Sequence, residues 1–130
     1  MKYKVFCDGA SRSNPGEAAI GVSIETDGKE IHTISKTIGI ASNNEAEYLA
    51  LDSALEYCLK NDFMNLDIFL DSKLVVEQVN GNFKVKSNNL KPLRDKILEH
   101  IEMLEFVSIN HIYRENNKRA DELANLALDS

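Results

Sequence analysis

The period of the apolar residues changes along the chain, and these changes predict its secondary structure. Apolar and β-branched runs, partly alternating with polar residues, predict strands over residues 2–8, 18–25, 30–38, 66–71 and 106–113. Apolar residues three or four positions apart predict helices over residues 44–60 and 73–80, from about residue 89, and after residue 117. The predicted order of elements is βββαβααβα.

Turn-forming residues between these segments indicate how they connect. Asp27-Gly28 predicts a tight hairpin between the second and third strands, and Asn14-Pro15-Gly16 predicts a turn before the second. Ser72 and either Asn116 or Asn117 are suited to begin helices. Strands joined by short turns run antiparallel, whereas strands separated by helices run parallel. We therefore expect an α/β fold with a five-stranded mixed sheet, its first three strands antiparallel, flanked by helices.

Length and composition limit the class of protein. The chain has 130 residues, 43% of them hydrophobic, which suits a single domain over residues 1–130 and excludes a disordered or collagen-like protein. It has no apolar run of about 20 residues and no signal peptide, so we expect a cytoplasmic protein. Cys7 and Cys58 lie in apolar surroundings, which favours buried free thiols. The net charge of −6 argues mildly against a nucleic-acid partner.

Candidate chemistry comes from the positions of a few acidic residues. Asp8 and Asp71 each follow an apolar strand, at the strand ends where open α/β sheets bind their ligands. For Asp71, a role in starting the next helix beside Ser72 is an equally good interpretation. Glu47 near the start of its helix and Asp121 beside the apolar stripe of the last helix are both placed to lean toward the sheet. With 21 acidic residues in the chain, none of the four is diagnostic alone.

Four stretches around these acids form a specific combination. They are Phe6-Cys7-Asp8-Gly9-Ala10-Ser11 with Asn14-Pro15-Gly16, Ser42-Asn43-Asn44-Glu45-Ala46-Glu47-Tyr48, Leu70-Asp71-Ser72, and Arg114-Glu115-Asn116-Asn117-Lys118-Arg119-Ala120-Asp121-Glu122-Leu123-Ala124. In this order and spacing they resemble the type 1 ribonuclease H family, over essentially the whole chain. The resemblance implies a ribonuclease H-like fold and a metal site made by the carboxylates of Asp8, Glu47, Asp71 and Asp121.

The resemblance also implies an activity: metal-dependent endonucleolytic hydrolysis of the RNA strand of an RNA–DNA hybrid, leaving 3′-hydroxyl and 5′-phosphate ends. Four carboxylates at close range repel one another unless cations neutralise them. Oxygen ligands suit Mg²⁺, with Mn²⁺ as a substitute, and two ions about 3.5 to 4 Å apart divide the work of phosphodiester hydrolysis. We therefore expect two Mg²⁺ ions per site and a monomeric enzyme.

Contacts to the 2′-hydroxyl groups and the shallow minor groove distinguish RNA from DNA. By resemblance, the candidates are Asn14 and Gly16 in the first turn together with Asn43 and Asn44, while Ser42 replaces the usual Thr near a DNA phosphate. The alternative for Asn43 and Asn44 is helix capping. Asn14 is also a common residue in turns.

Basic residues cluster in one part of the chain. Lys84 and Lys86, followed by Lys91, Arg94 and Lys96, form either a phosphate-binding patch or a solubilising surface. Many family members have a separate basic helix and loop here, and this chain resembles the compact branch of the family without it. Weak affinity for the hybrid is therefore one expectation.

The loop before the last helix offers one more candidate. Many family members have a mobile His before the final Asp, but the apolar alternation places His111 inside a strand, so we prefer Arg114 as the group that reaches a phosphate. His32 and His100 are predicted to be structural. Two alternatives to the enzyme stay open: a ribonuclease H-like protein that binds nucleic acid with little or no cleavage, and a nuclease of the same fold acting on structured DNA.

Overall fold

In the computed structural model, which describes all residues 1–130, five strands form one mixed sheet in the order β3-β2-β1-β4-β5. β1 and β2 pair antiparallel, as do β2 and β3, whereas β4 runs parallel to β1 and β5 runs parallel to β4. The arrangement confirms the predicted mixed sheet. The strands are β1 (Tyr3–Ser11), β2 (Gly16–Thr26), β3 (Lys29–Ala41), β4 (Asn65–Leu70) and β5 (Phe106–His111).

The helices follow the predicted order. They are α1 (Asn43–Lys60), α2 (Lys73–Val79), α3 (Lys91–Glu102) and α4 (Lys118–Asp129), with a single 3₁₀ turn over Arg114–Asn116 before α4. None of them combines the length and the apolar character needed to cross a bilayer. The prediction was wrong at two boundaries that matter for the site. β1 does not end at Asp8 but continues to Ser11, because β2 offers it partners as far as Ala18. β5 ends at His111 rather than at residue 113, because its partner β4 ends at Leu70 and offers no further backbone groups for pairing.

Two glycines show that helices cover both faces of the sheet. A Cβ atom on Gly9 would lie 2.2 Å from the carbonyl carbon of Ala46 in α1, and one on Gly21 would lie 2.1 Å from the carbonyl oxygen of Ala120 in α4. Gly21 is paired with Asp8, the neighbour of Gly9, and consecutive strand residues point to opposite faces. α1 and α4 therefore lie on opposite sides of the sheet, each close enough to exclude a side chain.

The main core lies between the sheet and the helices on the α1 side. Leu51 and Leu55 of α1 and Ile97 of α3 are fully buried with the strand residues that face them, including Ile20 and Ile68. On the opposite side, α4 buries Ala120, Leu123 and Ala124. Cys7 and Cys58 are buried free thiols, as the sequence predicts.

Candidate active site

The parallel pairing of β1 and β4 brings two carboxylates to the same end of the sheet. Cys7 is paired with Leu70, so Asp8 and Asp71, the residues that follow this pair, lie at the same level. Asp8 is only 6% exposed, and Asp71 is partly exposed. Ser72, not Asp71, caps α2 by accepting a hydrogen bond of 3.3 Å from the backbone N–H of Val75. The carboxylate of Asp71 is not used to begin the helix.

The N-terminal part of α1 directs Glu47 toward these two residues. The backbone N–H of Gly9 donates a hydrogen bond of 2.8 Å to Oε1 of Glu47, and the missing side chain of Gly9 lets α1 approach this closely. Glu47 is 6% exposed, and its Oε2 atom is buried without a hydrogen-bond partner. Carboxylate oxygen atoms of Asp8, Glu47 and Asp71 lie within 4.8 Å of one another.

Asp121 comes from the opposite side of the sheet, in the first turn of α4. It lines the same open cavity as the other three acids but lies outside their 4.8 Å cluster. Its Oδ1 atom accepts a hydrogen bond of 3.2 Å from Nδ2 of Asn125 and lies 3.8 Å from Nη2 of Arg114. The structure thus places all four predicted acids and Arg114 around one cavity, whose other lining residues include Asn43, Asn44 and Ser72.

Crowding of the acids changes their ionisation. Burial, followed by the close approach and negative charge of Glu47, raises the pKa of Asp8 well above its ordinary value. Burial also raises the pKa of Glu47, although the hydrogen bond from the Gly9 N–H opposes that shift. The pair therefore retains protons at pH values where exposed carboxylates are fully ionised.

This set of groups fits a hard divalent cation. A buried carboxylate oxygen without a partner, such as Oε2 of Glu47, is costly unless a cation or a donor satisfies it. The nearby carboxylates of Asp8 and Asp71 supply further oxygen atoms, which are the ligands that Mg²⁺ and Mn²⁺ prefer. This cluster therefore has the chemistry to hold a metal ion.

Asn117 is a site residue whose role was missed in the sequence. It is the N-cap residue of α4, which confirms one of the two predicted positions, but its side chain makes no capping hydrogen bond. Instead its Nδ2 atom donates to the backbone oxygen of Cys7 at 2.9 Å and to Oδ2 of Asp71 at 3.0 Å. The residue is 1% exposed. A possible signal was its spacing of four residues before Asp121, which places both on one side of the helix.

The predicted substrate-binding residues of the first turn and of α1 lie beside the acids. Ser42 caps α1 in a reciprocal capping box with Glu45, so the capping alternative for Asn43 and Asn44 is wrong, and their exposed side chains line the cavity. Oδ1 of Asn14 accepts a hydrogen bond of 3.0 Å from the backbone N–H of Asn43. Gly16 begins β2.

A second, smaller cavity continues from the first. Asn44 lines both, and the second is formed mainly by Asn14, Ser42, Ser87 and Asn89. It lies between the first turn and the loop before α3. A polar track therefore extends from the acids toward residues 84–90, which is the part of the chain that carries Lys84 and Lys86.

The basic residues do not form one uniform patch. Lys84 and Lys86 are exposed in the loop after α2 and do not line the cavity of the acids. Arg94 pairs with Asp95 at 2.6 Å, and Lys96 pairs with Asp52 at 3.2 Å. No helix separates α2 from α3, which agrees with the compact branch of the family.

Of the two candidates before α4, Arg114 lies closer to the acids. Arg114 lines the cavity in the 3₁₀ turn, with 80% of its side chain exposed. His111 is the last residue of β5, packs edge-on against the ring of Tyr113 and does not line the cavity. The ring of His32 stacks on Tyr57, as expected for a structural histidine.

Comparison with known proteins agrees with this geometry. The family model described as "Reverse transcriptase-like" matches residues 6–127. Ribonuclease HI of Halobacterium salinarum is 42% identical over 129 residues, which cover 98% of this chain. The match spans 65% of the length of that relative.

Solved structures show the same fold. The crystal structure of RNase H1 from Halobacterium salinarum superimposes with a TM-score of 0.96 at 39% identity, covering 99% of this chain and 98% of that one. The crystal structure of LC11-RNase H1 in complex with an RNA/DNA hybrid superimposes with a TM-score of 0.91 at 40% identity, covering 98% of this chain and 96% of that one.

Proposed function

Since the chain belongs to the type 1 ribonuclease H family, we propose that residues 1–130, acting as a single domain, hydrolyse the RNA strand of RNA–DNA hybrids to 3′-hydroxyl and 5′-phosphate ends. The observation that carries this proposal is the cluster of Asp8, Glu47 and Asp71, with oxygen atoms within 4.8 Å, in a cavity that Asp121 also lines. The similarity to LC11-RNase H1, which was solved with an RNA/DNA hybrid, supports the choice of substrate.

Asp8, Glu47, Asp71 and Asp121 would hold two Mg²⁺ ions, for which Mn²⁺ is a substitute. When bound, the ions supply Lewis-acid chemistry: a lower pKa for the attacking water and neutralisation of charge on the departing 3′ oxygen. All four carboxylates come from one chain, so the site is complete in a monomer.

The chain's other residues fix the acids in place. The Gly9 N–H orients Oε1 of Glu47 and leaves Oε2 free for a ligand. Asn117 orients Oδ2 of Asp71. Arg114 is a flexible cation at the mouth of the cavity, suited to contact the phosphate that is cleaved. Pre-oriented ligands need little rearrangement when the substrate binds.

Substrate recognition follows the polar track beside the acids. Asn14, Gly16, Asn43 and Asn44 present side-chain amides and backbone groups suited to the 2′-hydroxyl groups of the RNA strand. Ser42 lies in the adjoining cavity, where a phosphate of the DNA strand would fit.

Lys84 and Lys86 would add phosphate contacts beyond that cavity. The net charge of −6 does not oppose binding as strongly as it first suggests, because bound cations offset most of the negative charge at the site.

A cleavage assay tests the proposal. The protein is incubated with Mg²⁺ or Mn²⁺ and matched RNA–DNA, RNA–RNA and DNA–DNA duplexes, beside the variant Asp71→Asn. We expect cleavage of the hybrid alone, lost in Asp71→Asn and retained in the control Asp95→Asn, whose carboxylate contacts only Arg94 on the surface. Cleavage of the DNA duplex would instead favour a structured-DNA nuclease.

The missing basic helix favours a second candidate, a protein of this fold that binds hybrids but cleaves them poorly. Hybrid binding in the presence of Mg²⁺ without cleavage products would support this candidate and contradict the first. The four acids around one cavity weigh against it.

A further inference from the structure

A second group of potential metal ligands lies away from the acid cavity, where α1 packs against α3. Asp52 and Glu56 are four residues apart on α1 and therefore share one side of the helix. His100 faces them from the last turn of α3. One ligand atom from each residue lies within 4.8 Å of the other two.

The spacing of these atoms matches a shared ion. Nε2 of His100 lies 3.1 Å from Oδ1 of Asp52 and 3.7 Å from Oε1 of Glu56. Two ligands each about 2.1 Å from one Zn²⁺ ion, at angles between about 90° and 110°, lie roughly 3.0 to 3.4 Å apart. The distance of 3.7 Å is slightly longer than this range, and a small rotation of the half-exposed Glu56 side chain would shorten it.

Two of the atoms have no other partner. Asp52 is 5% exposed, and its Oδ1 atom is buried without a hydrogen bond. Nε2 of His100 is also buried without a hydrogen bond, although Oδ1 of Asp52 is only 3.1 Å away. Buried polar atoms without partners are rare, and an ion between them would satisfy both.

We propose that Asp52, Glu56 and His100 bind one divalent cation of the Zn²⁺ type, in a site separate from the four acids of the cavity. The imidazole ligand favours Zn²⁺, Ni²⁺ or Co²⁺ over Mg²⁺, whereas the all-oxygen acid cluster has the opposite preference. Water would complete the coordination on the exposed side of Glu56. The ion would link α1, which carries Glu47, to α3.

The ammonium group of Lys96 competes with a cation for the carboxylates of Asp52 and Glu56. Its Nζ atom lies 3.2 Å from Oδ2 of Asp52 and 3.0 Å from Oε1 of Glu56. Half of its side chain is exposed, so its ammonium group can move into solvent when an ion enters. Removing this positive charge would therefore strengthen metal binding, which a purely structural ion-pair network does not predict.

The test is a calorimetric titration of the full chain with Zn²⁺, in saturating Mg²⁺. The matched variants are His100→Gln, which removes the imidazole, and Lys96→Met, which removes the competing charge. Because both retain the acids of the cavity, differences from the parent report on this site alone. We expect the His100→Gln variant to bind Zn²⁺ roughly tenfold or more weakly at one site. The Lys96→Met variant should bind it several-fold more tightly.

A second measurement follows the His100 ring directly. Zn²⁺ should shift its imidazole nitrogen resonances, and thermal unfolding should move to higher temperature in the parent but not in His100→Gln. Identical Zn²⁺ binding by the parent and His100→Gln, or unshifted His100 resonances at saturation, would overturn the proposal. Hybrid cleavage in Mg²⁺ should be the same in the parent and His100→Gln, so failure here is distinct from failure of the proposed nuclease activity.

Discussion

Nδ2 of Asn117 lies 3.0 Å from Oδ2 of Asp71 and also donates to the backbone oxygen of Cys7. This one buried amide joins the middle of β1, the residue after β4 and the start of α4. It also leaves one oxygen of Asp71 free to face the cavity. We therefore expect Asn117 to act as a positioning residue, through Asp71 rather than on the substrate.

Replacing Asn117 by Ala should lower both stability and activity. Loss of two hydrogen bonds, one to a charged group, should reduce the free energy of unfolding by about 1 to 3 kcal/mol. Loss of the orienting contact to Asp71 should reduce metal affinity or cleavage about 10- to 100-fold. Denaturant unfolding, together with cleavage rates measured against Mg²⁺ concentration, checks both effects.

The control is Asn61→Ala, which removes an exposed amide at the end of α1. A variant with unchanged Mg²⁺ dependence would contradict the positioning role.

Asp8→Asn should stabilise the metal-free protein at neutral and higher pH. The folded state raises the pKa of Asp8, so it holds a proton that the unfolded chain releases above about pH 4. Stability of the parent should therefore fall as pH rises from that value toward the raised pKa, whereas Asn cannot ionise. We expect the variant to be more stable by at least about 1 kcal/mol at pH 8.

Urea unfolding in a chelator, at several pH values, measures this difference. Adding Mg²⁺ should reverse the order, since the bound cation favours the ionised carboxylates of the parent. A stability difference that does not grow with pH would show that the raised pKa of Asp8 is not its cause.

The hydrophobic pattern was sufficient to predict the fold. Strands and helices differ in the period of their buried positions, and Asp27-Gly28 predicted the hairpin that β2 and β3 form. The ends of the strands and helices were predicted less accurately, because they depend on pairing partners that are distant in sequence. Whether β5 continues past His111 is decided by the length of β4, which no local pattern of β5 contains.

The same reasoning from sequence patterns predicted only part of the candidate site. Asp8 and Asp71 could be found from the ends of apolar runs alone, although β1 continues past Asp8. Glu47 and Asp121 needed the family resemblance, since an acid near the start of a helix is common. Asn117 was correctly placed at the start of α4, but its contact with Asp71 was missed, because a capping Asn and a buried Asn before a helix look identical in sequence. The roles assigned to the substrate-binding residues stay predictions.

Arg114 and His111 should differ in their effect on cleavage. The Arg114 side chain is exposed and 3.8 Å from Asp121, so Arg114→Ala should change stability by less than about 0.5 kcal/mol. If it contacts the cleaved phosphate, cleavage should fall about tenfold or more, with Arg114→Lys partly active. His111→Ala should leave the rate nearly unchanged. Single-turnover rates decide between the two residues, and the reverse order of effects would make His111 the functional residue.

Lys84 and Lys86 should contribute to hybrid affinity in proportion to their phosphate contacts. Each substitution by Ala should weaken binding and reduce the slope of log affinity against log salt by about 1, if the side chain contacts a phosphate. Lys60→Ala, at the far end of α1, serves as the control. Binding measured in Ca²⁺ over a range of salt concentrations gives these slopes. Unchanged slopes would mean that the two lysines only solubilise the loop.

Residues from both faces of the sheet meet at the acid cavity, with Glu47 supplied by α1 and Asp121 by α4. No hairpin or helix pair contains the full ligand set, and Asp8 and Asp71 become neighbours only when β1 and β4 have aligned. During refolding, tight binding of the proposed Mg²⁺ ions should therefore develop late, after the strands have paired and the helices have packed on both faces of the sheet. If the proposed function is right, a partly folded chain would lack the assembled metal site and would not cleave the hybrid.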